Sequence, residues 1–406
     1  MLSVDEALRQ VLLRVTPRAP AQFPLAEALG LVLAEAIHSD VDSPPHDKSL
    51  VDGYAVVAAD LVAGPAEFDI LEEITAGNLP THTVVRGKTT RIMTGAPVPA
   101  GADAIVMIEQ SRLADEHQPL GRVHLAPLRT ASGQNIMLRA SSMARGDLVL
   151  SEGCVLRAIE LGLAAEIGRT HVSAIGRPTA AVLATGNELV PPSQTPAAGQ
   201  IRNSNGSMLL AAAAQTGATP VDLGIARDVR GELRDRIARG LESDVLVIAG
   251  GVSAGVLDLV PSVLEELGVA QVFHKIRLKP GKPLWFGVQE KNSRLVFGLP
   301  GNPVSSLVCF ELFVRPAIGR LCGRQDLALE EVLAELSAEY THRGDRPTYH
   351  PARLTPSAGI PSVEPLRWQG SGDLRTLTTA NSLACFPAGD RTIARGEMVR
   401  VLRLPR

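Results

Sequence analysis

Three carboxylates close apolar runs within one stretch of the chain. Glu188 ends "AVLATGNE", Asp228 ends "LGIARD", and Asp258 follows the glycines of "DVLVIAGGVSAGVLD". An apolar run that stops at Gly and a polar residue reads as a buried strand entering a βα loop. Acids gathered at one such edge suit Mg2+, which takes few carboxylates and completes its shell with water and phosphate oxygen. Capping of the helices that follow accounts for acids at the same places. The bare loop holds Gly250, Gly251 and Ser253. Glycine brings backbone N–H groups close to a ligand, and a helix beginning near Leu259 adds its positive end, so an anion such as phosphate fits. The spacing is neither G-x-G-x-x-G nor a Walker A loop, and a plain tight turn fits it too.

"HKIRLKPGKP" places Lys275, Arg277, Lys279 and Lys282 close together. Read as a strand, it puts Lys275, Arg277 and Lys279 on one face, turned to an anion or to solvent at a sheet edge. In "GLPGNPVSS", Pro300 and Pro303 flank a Gly-Asn pair that opens a helix, with Asn302 as its cap.

The elements that must position these residues follow from periodicity. From Pro178 the chain alternates apolar strands with amphipathic helices, which predicts βαβ units and a mostly parallel sheet. "NPVSSLVCFELFVRPAIGRL" closes that region as a helix. Upstream, Ser3 and Glu6 have capping-box spacing and open a helix to about Val15. "PLAEALGLVLAEAI" predicts a second helix to Ile37, and "RAIELGLAAEIG" a third. Residues 52–150 and those after Gly323 read as short strands and turns.

Composition narrows the function classes. The 406 residues imply several domains, and 45 % apolar with 20 % charged residues indicates a globular chain. A formal net charge of −3 and 3 % aromatic residues argue against nucleic acid or an anionic membrane surface as partner. The four cysteines form no C-x-x-C pair, so neither zinc nor a disulfide framework is indicated. The amphipathic N-terminus is unlike a signal peptide, no run is long enough to span a bilayer, and a reducing cytoplasm is expected.

Taken in order, "PHDKSLVDGYAV", "RIMTGAPVPAGADAIVMIEQ", "ATGNEL", "GQIRNSN", "LGIARD", "GGVSAGVLD", "LKPGKP" and "GLPGNPVS" resemble the molybdopterin molybdenumtransferase (MoeA) family, related to the C-terminal part of gephyrin. The resemblance covers nearly the whole chain. It implies insertion of molybdenum, from molybdate, into adenylylated molybdopterin with release of AMP, the final step of molybdenum cofactor biosynthesis, assisted by Mg2+. It implies a multidomain α/β plus β fold. Residues 1–45 with 146–175 form an elongated helical linker domain, 46–145 a β-rich domain, 176–325 an α/β molybdopterin-binding domain, and 326–406 a C-terminal β barrel. It implies a cytoplasmic homodimer whose site joins the α/β domain of one chain to the β-rich domain of the other, with molybdopterin adenylyltransferase upstream and molybdoenzymes downstream.

By matching position, the catalytic set is Asp52, Thr94, Glu188, Asp228, Lys275 and Lys279, with Glu188 and Asp258 on the metal. Gly250, Gly251, Ser253, Lys282, Pro300, Pro303 and Ser371 bind substrate. On their own residues, Asp52 before Gly53 and Thr94 before Gly95 read as turn residues, and Ser371 in "QGSGDL" as a hydroxyl on a flexible turn. The chain also departs from the family pattern. Lys48 and Val51 replace Asn and Met, and Asn203 replaces Asp. Val256 and Leu259 replace Glu and Tyr. In "NIMLRASSM", Met137 replaces an Arg, and Ser141 and Ser142 replace two acids. Arg139 is a spatial substitute for that Arg; no acid in the same stretch replaces the lost pair. These losses leave a second reading open: a catalytically weakened molybdopterin-binding carrier or scaffold of the same fold. An adenylyltransferase of the related single-domain family is disfavoured by the additional domains.

Overall fold

The computed structural model describes residues 1–252 and 259–405, so Ser253 and Asp258 lie outside the described residues. The chain forms two compact units. One comprises Met1–Ala34, Gly153–Arg157 and Val172–Arg406, the other Glu35–Glu152 and Ala158–His171.

The first unit is built on a six-stranded sheet in the order Thr219–Ala226, Thr179–Thr185, Val245–Ala249, Arg294–Leu299, Trp285–Gln289, Ala270–His274. The first four strands are parallel and the last two are added antiparallel. Residues of one strand alternate between two cores: Val245, Val247 and Ala249 enter one, Leu246 and Ile248 the other. Burial on both faces is what makes "DVLVIA" a continuous apolar run. Helices Ser204–Thr216, Arg230–Gly240 and Val260–Glu266 supply the crossovers.

Residues 303–321 form one long helix interrupted by a π turn at Phe310–Val314. Pro316, just beyond that turn, has no N–H to continue the regular ladder, and a widened turn accommodates the loss. The N-terminal helix Val4–Leu12 has the expected capping box, with Ser3 N donating to Glu6 at 2.8 Å. It packs Val4, Ala7 and Val11 into the same core as Phe310 and Phe313. A closed five-stranded barrel, Glu331–Leu336, Ser362–Pro365, Thr348–Thr355, Ser382–Phe386 and Met398–Arg403, completes this unit.

The second helix expected near the N-terminus does not form. Residues 24–37 instead make a short 3-10 turn at Leu25–Glu27 and strands Val32–Leu33 and Ile37–His38. Gly30 turns the chain at φ +78°, and the amides that a helix would use are taken elsewhere. Gly30 N donates to Leu156 O at 2.7 Å, Leu33 N to Cys154 O at 2.9 Å, and Ala34 N to Ser173 O at 2.9 Å. Tertiary pairing overrides helix propensity here.

The second unit carries a six-stranded sheet in the order Ala104–Met107, Gly53–Val56, Lys88–Ile92, Ala66–Ile74, Arg122–Leu125, Ser111–Leu113. Tyr54, Val56, Phe68, Val106, Val123 and Leu125 form a core on it. The helix expected over 157–168 is present at Ala158–Glu166. Among the described residues no helix is long and apolar enough to cross a membrane.

Candidate functional site

The four parallel strands of the first unit end together at Thr185, Ala226, Ala249 and Leu299. A cleft of about 740 Å³ opens beyond those ends, as expected for an open α/β sheet. Glu188, Asp228, Gly250, Gly251, Pro300 and Pro303 all line it, so strand topology collects six of the expected residues.

Gly250 and Gly251 have φ of +97° and +64°. A Cβ on Gly250 would lie 2.6 Å from Thr185 O, and one on Gly251 would lie 2.7 Å from Val260 Cγ2. Both sites therefore require glycine, for conformation and for space. The capping explanation of the acids does not hold at Glu188, which precedes a short strand, Leu189–Val190, rather than a helix. The helix after Asp228 has Val229 at its cap position with no side-chain cap bond. The cap of helix Ser204–Thr216 is Asn203, which accepts from Gly206 N at 2.9 Å.

Two cleft residues escaped the sequence reading. Thr185 Oγ1 and Asn205 Oδ1 are buried and have no hydrogen-bond partner among the described residues. Thr185 is a strand terminus and Asn205 sits in the first turn of a helix, so both resemble ordinary local structure in sequence. Asn205 Nδ2 donates to Gly301 O at 2.7 Å, which fixes the amide and leaves its oxygen as the spare group. Oxygen atoms without partners at the floor of a polar cleft are acceptors for a ligand's N–H or O–H groups, or for a hard cation.

The basic segment differs from the expected strand. The edge strand ends at His274, whose Nε2 lies 3.0 Å from Val252 O beside the glycine loop. Lys275 has φ +67°, and the chain then folds back, with Lys275 N donating to Leu284 O and Ile276 N to Lys282 O. The alternation survives without the strand: Ile276 and Leu278 are buried while Arg277 and Lys279 are exposed. The partners that would make a strand come from the N-terminus and the barrel instead. Arg277 N donates to Leu2 O, Lys279 N donates to Pro347 O, and Tyr349 N donates to Lys279 O at 2.8 Å. Lys282 is exposed beside Pro283, which lines the cleft.

Ser371 is held rather than free on a turn. Its Oγ accepts from Asn302 Nδ2 at 2.9 Å, and its carbonyl accepts from Val304 N at 3.0 Å. Asn302 occupies the cap position of the helix opened by Pro303, yet its side chain bonds Ser371 and makes no cap bond. Ser306 Oγ donates to Pro300 O and secures the loop from below.

In the second unit, Asp52 and Thr94 meet. Thr94 donates to Asp52 Oδ1 from both its backbone N and its Oγ1, each at 2.7 Å. These two bonds hold the Asp52 carboxyl below the usual carboxylate range, with help from the charge of Arg91. Asp52 does lie in a bend and Thr94 in a turn, and the two side chains form a specific pair in addition.

The divergent segment lies nearby in the same unit. Arg139 does not stand free for the missing Arg: it pairs with Asp42 at 2.6 Å, and its amide donates to Asp47 at 2.8 Å. Asp42 also accepts from Arg145 N at 2.9 Å. Two acids from a distant stretch of sequence thus approach the segment carrying Ser141 and Ser142, whose own stretch has none. Among the described residues there is no cluster of three metal-ligating side chains.

Family models match in succession along the chain: the MoeA N-terminal region (domain I and II) over residues 2–168, a probable molybdopterin binding domain over 181–320, and the MoeA C-terminal region (domain IV) over 334–404. A molybdopterin molybdenumtransferase of Bacillus subtilis (strain 168) is 32% identical over 99% of this chain and 94% of its own length. One of Staphylococcus aureus (strain Mu50 / ATCC 700699) is 29% identical over 99% and 95%. The crystal structure of a molybdopterin biosynthesis moea protein from Pyrococcus horikosii superposes with a TM-score of 0.80, at 30% identity, over 99% of both chains.

Proposed function

Given that the chain belongs to the MoeA family and is a transferase of molybdenum cofactor biosynthesis, we propose that it inserts molybdenum into adenylylated molybdopterin and releases AMP. The observation that carries this reading is the cleft at the strand ends. It joins a glycine loop that only glycine can form, two exposed carboxylates and two buried oxygens without partners among the described residues.

Each part has a task. The Gly250 N–H is taken by Leu299 O, which leaves the backbone N–H of Gly251 to approach the phosphoanhydride. Thr185 Oγ1 and Asn205 Oδ1 accept from the substrate. Glu188 and Asp228, exposed carboxylates lining the one cleft, fit the sparse carboxylate set that Mg2+ prefers. Bound by these carboxylates, Mg2+ would supply positive charge beside the phosphate oxygens. Lys275, Lys279 and Lys282 attract the oxyanions, molybdate among them. Pro300, Pro303 and Ser371 shape the adjoining wall.

Asp52 and Thr94 act from a second copy of the chain in a homodimer. The bonds from Thr94 keep Asp52 ionised and oriented, which suits an electrostatic or positioning task better than proton delivery. The adenylylated substrate is supplied by an adenylyltransferase, and molybdoenzymes receive the product.

The test is molybdate-dependent AMP release from adenylylated molybdopterin. Release that needs both molybdate and Mg2+ supports the reading. Tight binding of molybdopterin without AMP release would favour the carrier or scaffold.

A further inference from the structure

Two departures from the family pattern lie far apart in sequence and oppose each other in the fold. Lys48 stands where the pattern has a neutral Asn, and Met137 stands where it has an Arg. The strand Lys48–Ser49 pairs antiparallel with Ile136–Met137, in a register that sets Lys48 opposite Met137. Directly opposed residues of an antiparallel pair share one face, with Cβ atoms about 5 Å apart. One change adds a positive charge, the other removes one, and both act on the same face of one short ribbon.

We propose that Lys48 carries the cationic role that the family pattern gives to position 137, binding a phosphate or other oxyanion group beside Asp52 and Thr94. This rests on the transferase reading above. The strand that carries Lys48 is bonded on its other side to the Thr94 loop. Gly95 N donates to Ser49 O at 2.8 Å, Ser49 N donates to Ala96 O at 2.9 Å, and Lys48 forms a bridge with Pro97. Lys48 is thus held between the loop of Thr94 and the strand of Met137. It is half-buried, and among the described residues its ammonium has no ion-pair partner. A cation fixed through its backbone and left without a counter-ion is available to an anionic ligand.

Two nearby cations are engaged. Arg139 is bound to Asp42. Arg91, the cation that acts on Asp52, pairs with Glu73 at 3.0 Å. Lys48 has no such partner among the described residues and lies directly opposite Met137.

The experiment uses the full chain and adenylylated molybdopterin as the probe. The dissociation constant is measured by equilibrium titration, and AMP release and thermal unfolding are measured on the same samples. Lys48→Met should weaken binding about tenfold, the scale of a lost charge-assisted hydrogen bond, and flatten its dependence on salt. Lys48→Arg should keep binding. The double change Lys48→Asn with Met137→Arg, which restores the family arrangement, should return it to within about threefold of the starting protein. Unchanged binding in folded Lys48→Met overturns the proposal. So does a loss that the double change fails to restore. If the starting protein binds the probe without releasing AMP, the transferase reading fails while the binding series still decides the role of Lys48. If it does not bind the probe, both fail.

Discussion

The strand-end cleft of the first unit and the Asp52–Thr94 pair of the second hold their carboxylates in opposite ways. In the cleft, Glu188 is exposed and no ion pair engages it among the described residues, while Thr185 Oγ1 and Asn205 Oδ1 are buried without partners. In the second unit, one oxygen of Asp52 already receives two hydrogen bonds from Thr94. The cleft keeps its capacity for donors that arrive from outside. The Asp52 pair is set in advance, and its charge state does not wait for a ligand. Open capacity suits binding of metal and substrate; a preset charge suits orientation.

The strongest way to break this contrast is Glu188→Gln. It removes the charge and keeps the shape, so AMP release should fall about a thousandfold with thermal unfolding unchanged, because a charge used mainly in the transition state affects turnover more than binding. Full AMP release by the variant would remove Glu188 from the working site.

A second test asks whether Asp52 of the second unit and Lys279 of the first serve one site. Asp52→Ala and Lys279→Ala chains should each be inactive alone and regain activity when mixed, since a heterodimer has one composite site wholly intact. Subunit exchange is verified separately by native mass spectrometry. No rescue in a confirmed heterodimer would put both residues in one chain's site, or in none.

The divergent segment gives a smaller effect. Ser141→Glu with Ser142→Asp should lower the Mg2+ midpoint of AMP release or raise its rate about tenfold, worth about 1.4 kcal/mol of barrier. An unchanged Mg2+ titration in the folded variant would show that acids at positions 141 and 142 are dispensable.

The smallest effect is on pH. The folded carboxyl of Asp52 is depressed, so its contribution to stability is present above the ordinary carboxylate value and lost as pH falls through the lowered folded value. Thr94→Val removes the hydroxyl bond, which should raise the Asp52 pKa and move the acid limb of activity to higher pH. Carboxyl carbon shifts followed by NMR through a pH titration check the direction; an unmoved Asp52 would assign its depression to the backbone bond and Arg91 alone.

Much of the α/β region was legible in sequence because its parallel strands are buried on both faces. That burial leaves continuous apolar runs ending in Gly and acid, and the helices between them keep their own period. The stretch 24–37 failed for the converse reason: its propensity is helical, but its amides pair with Leu156, Cys154 and Ser173, far along the chain. Lys275 to Lys279 kept the alternation of a strand, although the partners that impose it come from the N-terminus and the barrel. Within the site, motif positions fixed Glu188, Asp228 and the glycines. Thr185 and Asn205 became visible only when burial exposed their lack of partners. Likewise Lys48 and Met137 read as separate substitutions until strand register joined them.

The main-chain bonds between Lys279 and the barrel have a consequence for how this chain tolerates evolutionary change. Lys279 is aligned by the carbonyl of Pro347 and the amide of Tyr349, and Arg346 donates to Leu278 O at 3.0 Å from the same turn. Backbone partners do not depend on residue type, so, apart from Arg346, whose guanidinium makes its bond, the turn between Tyr340–His342 and Thr348–Thr355 can drift in composition without moving the lysine. Its length has no such freedom. An insertion or deletion of one residue in that turn would shift the frame on which Lys279 is registered, displacing a cation of another part of the chain while leaving every site residue intact by name.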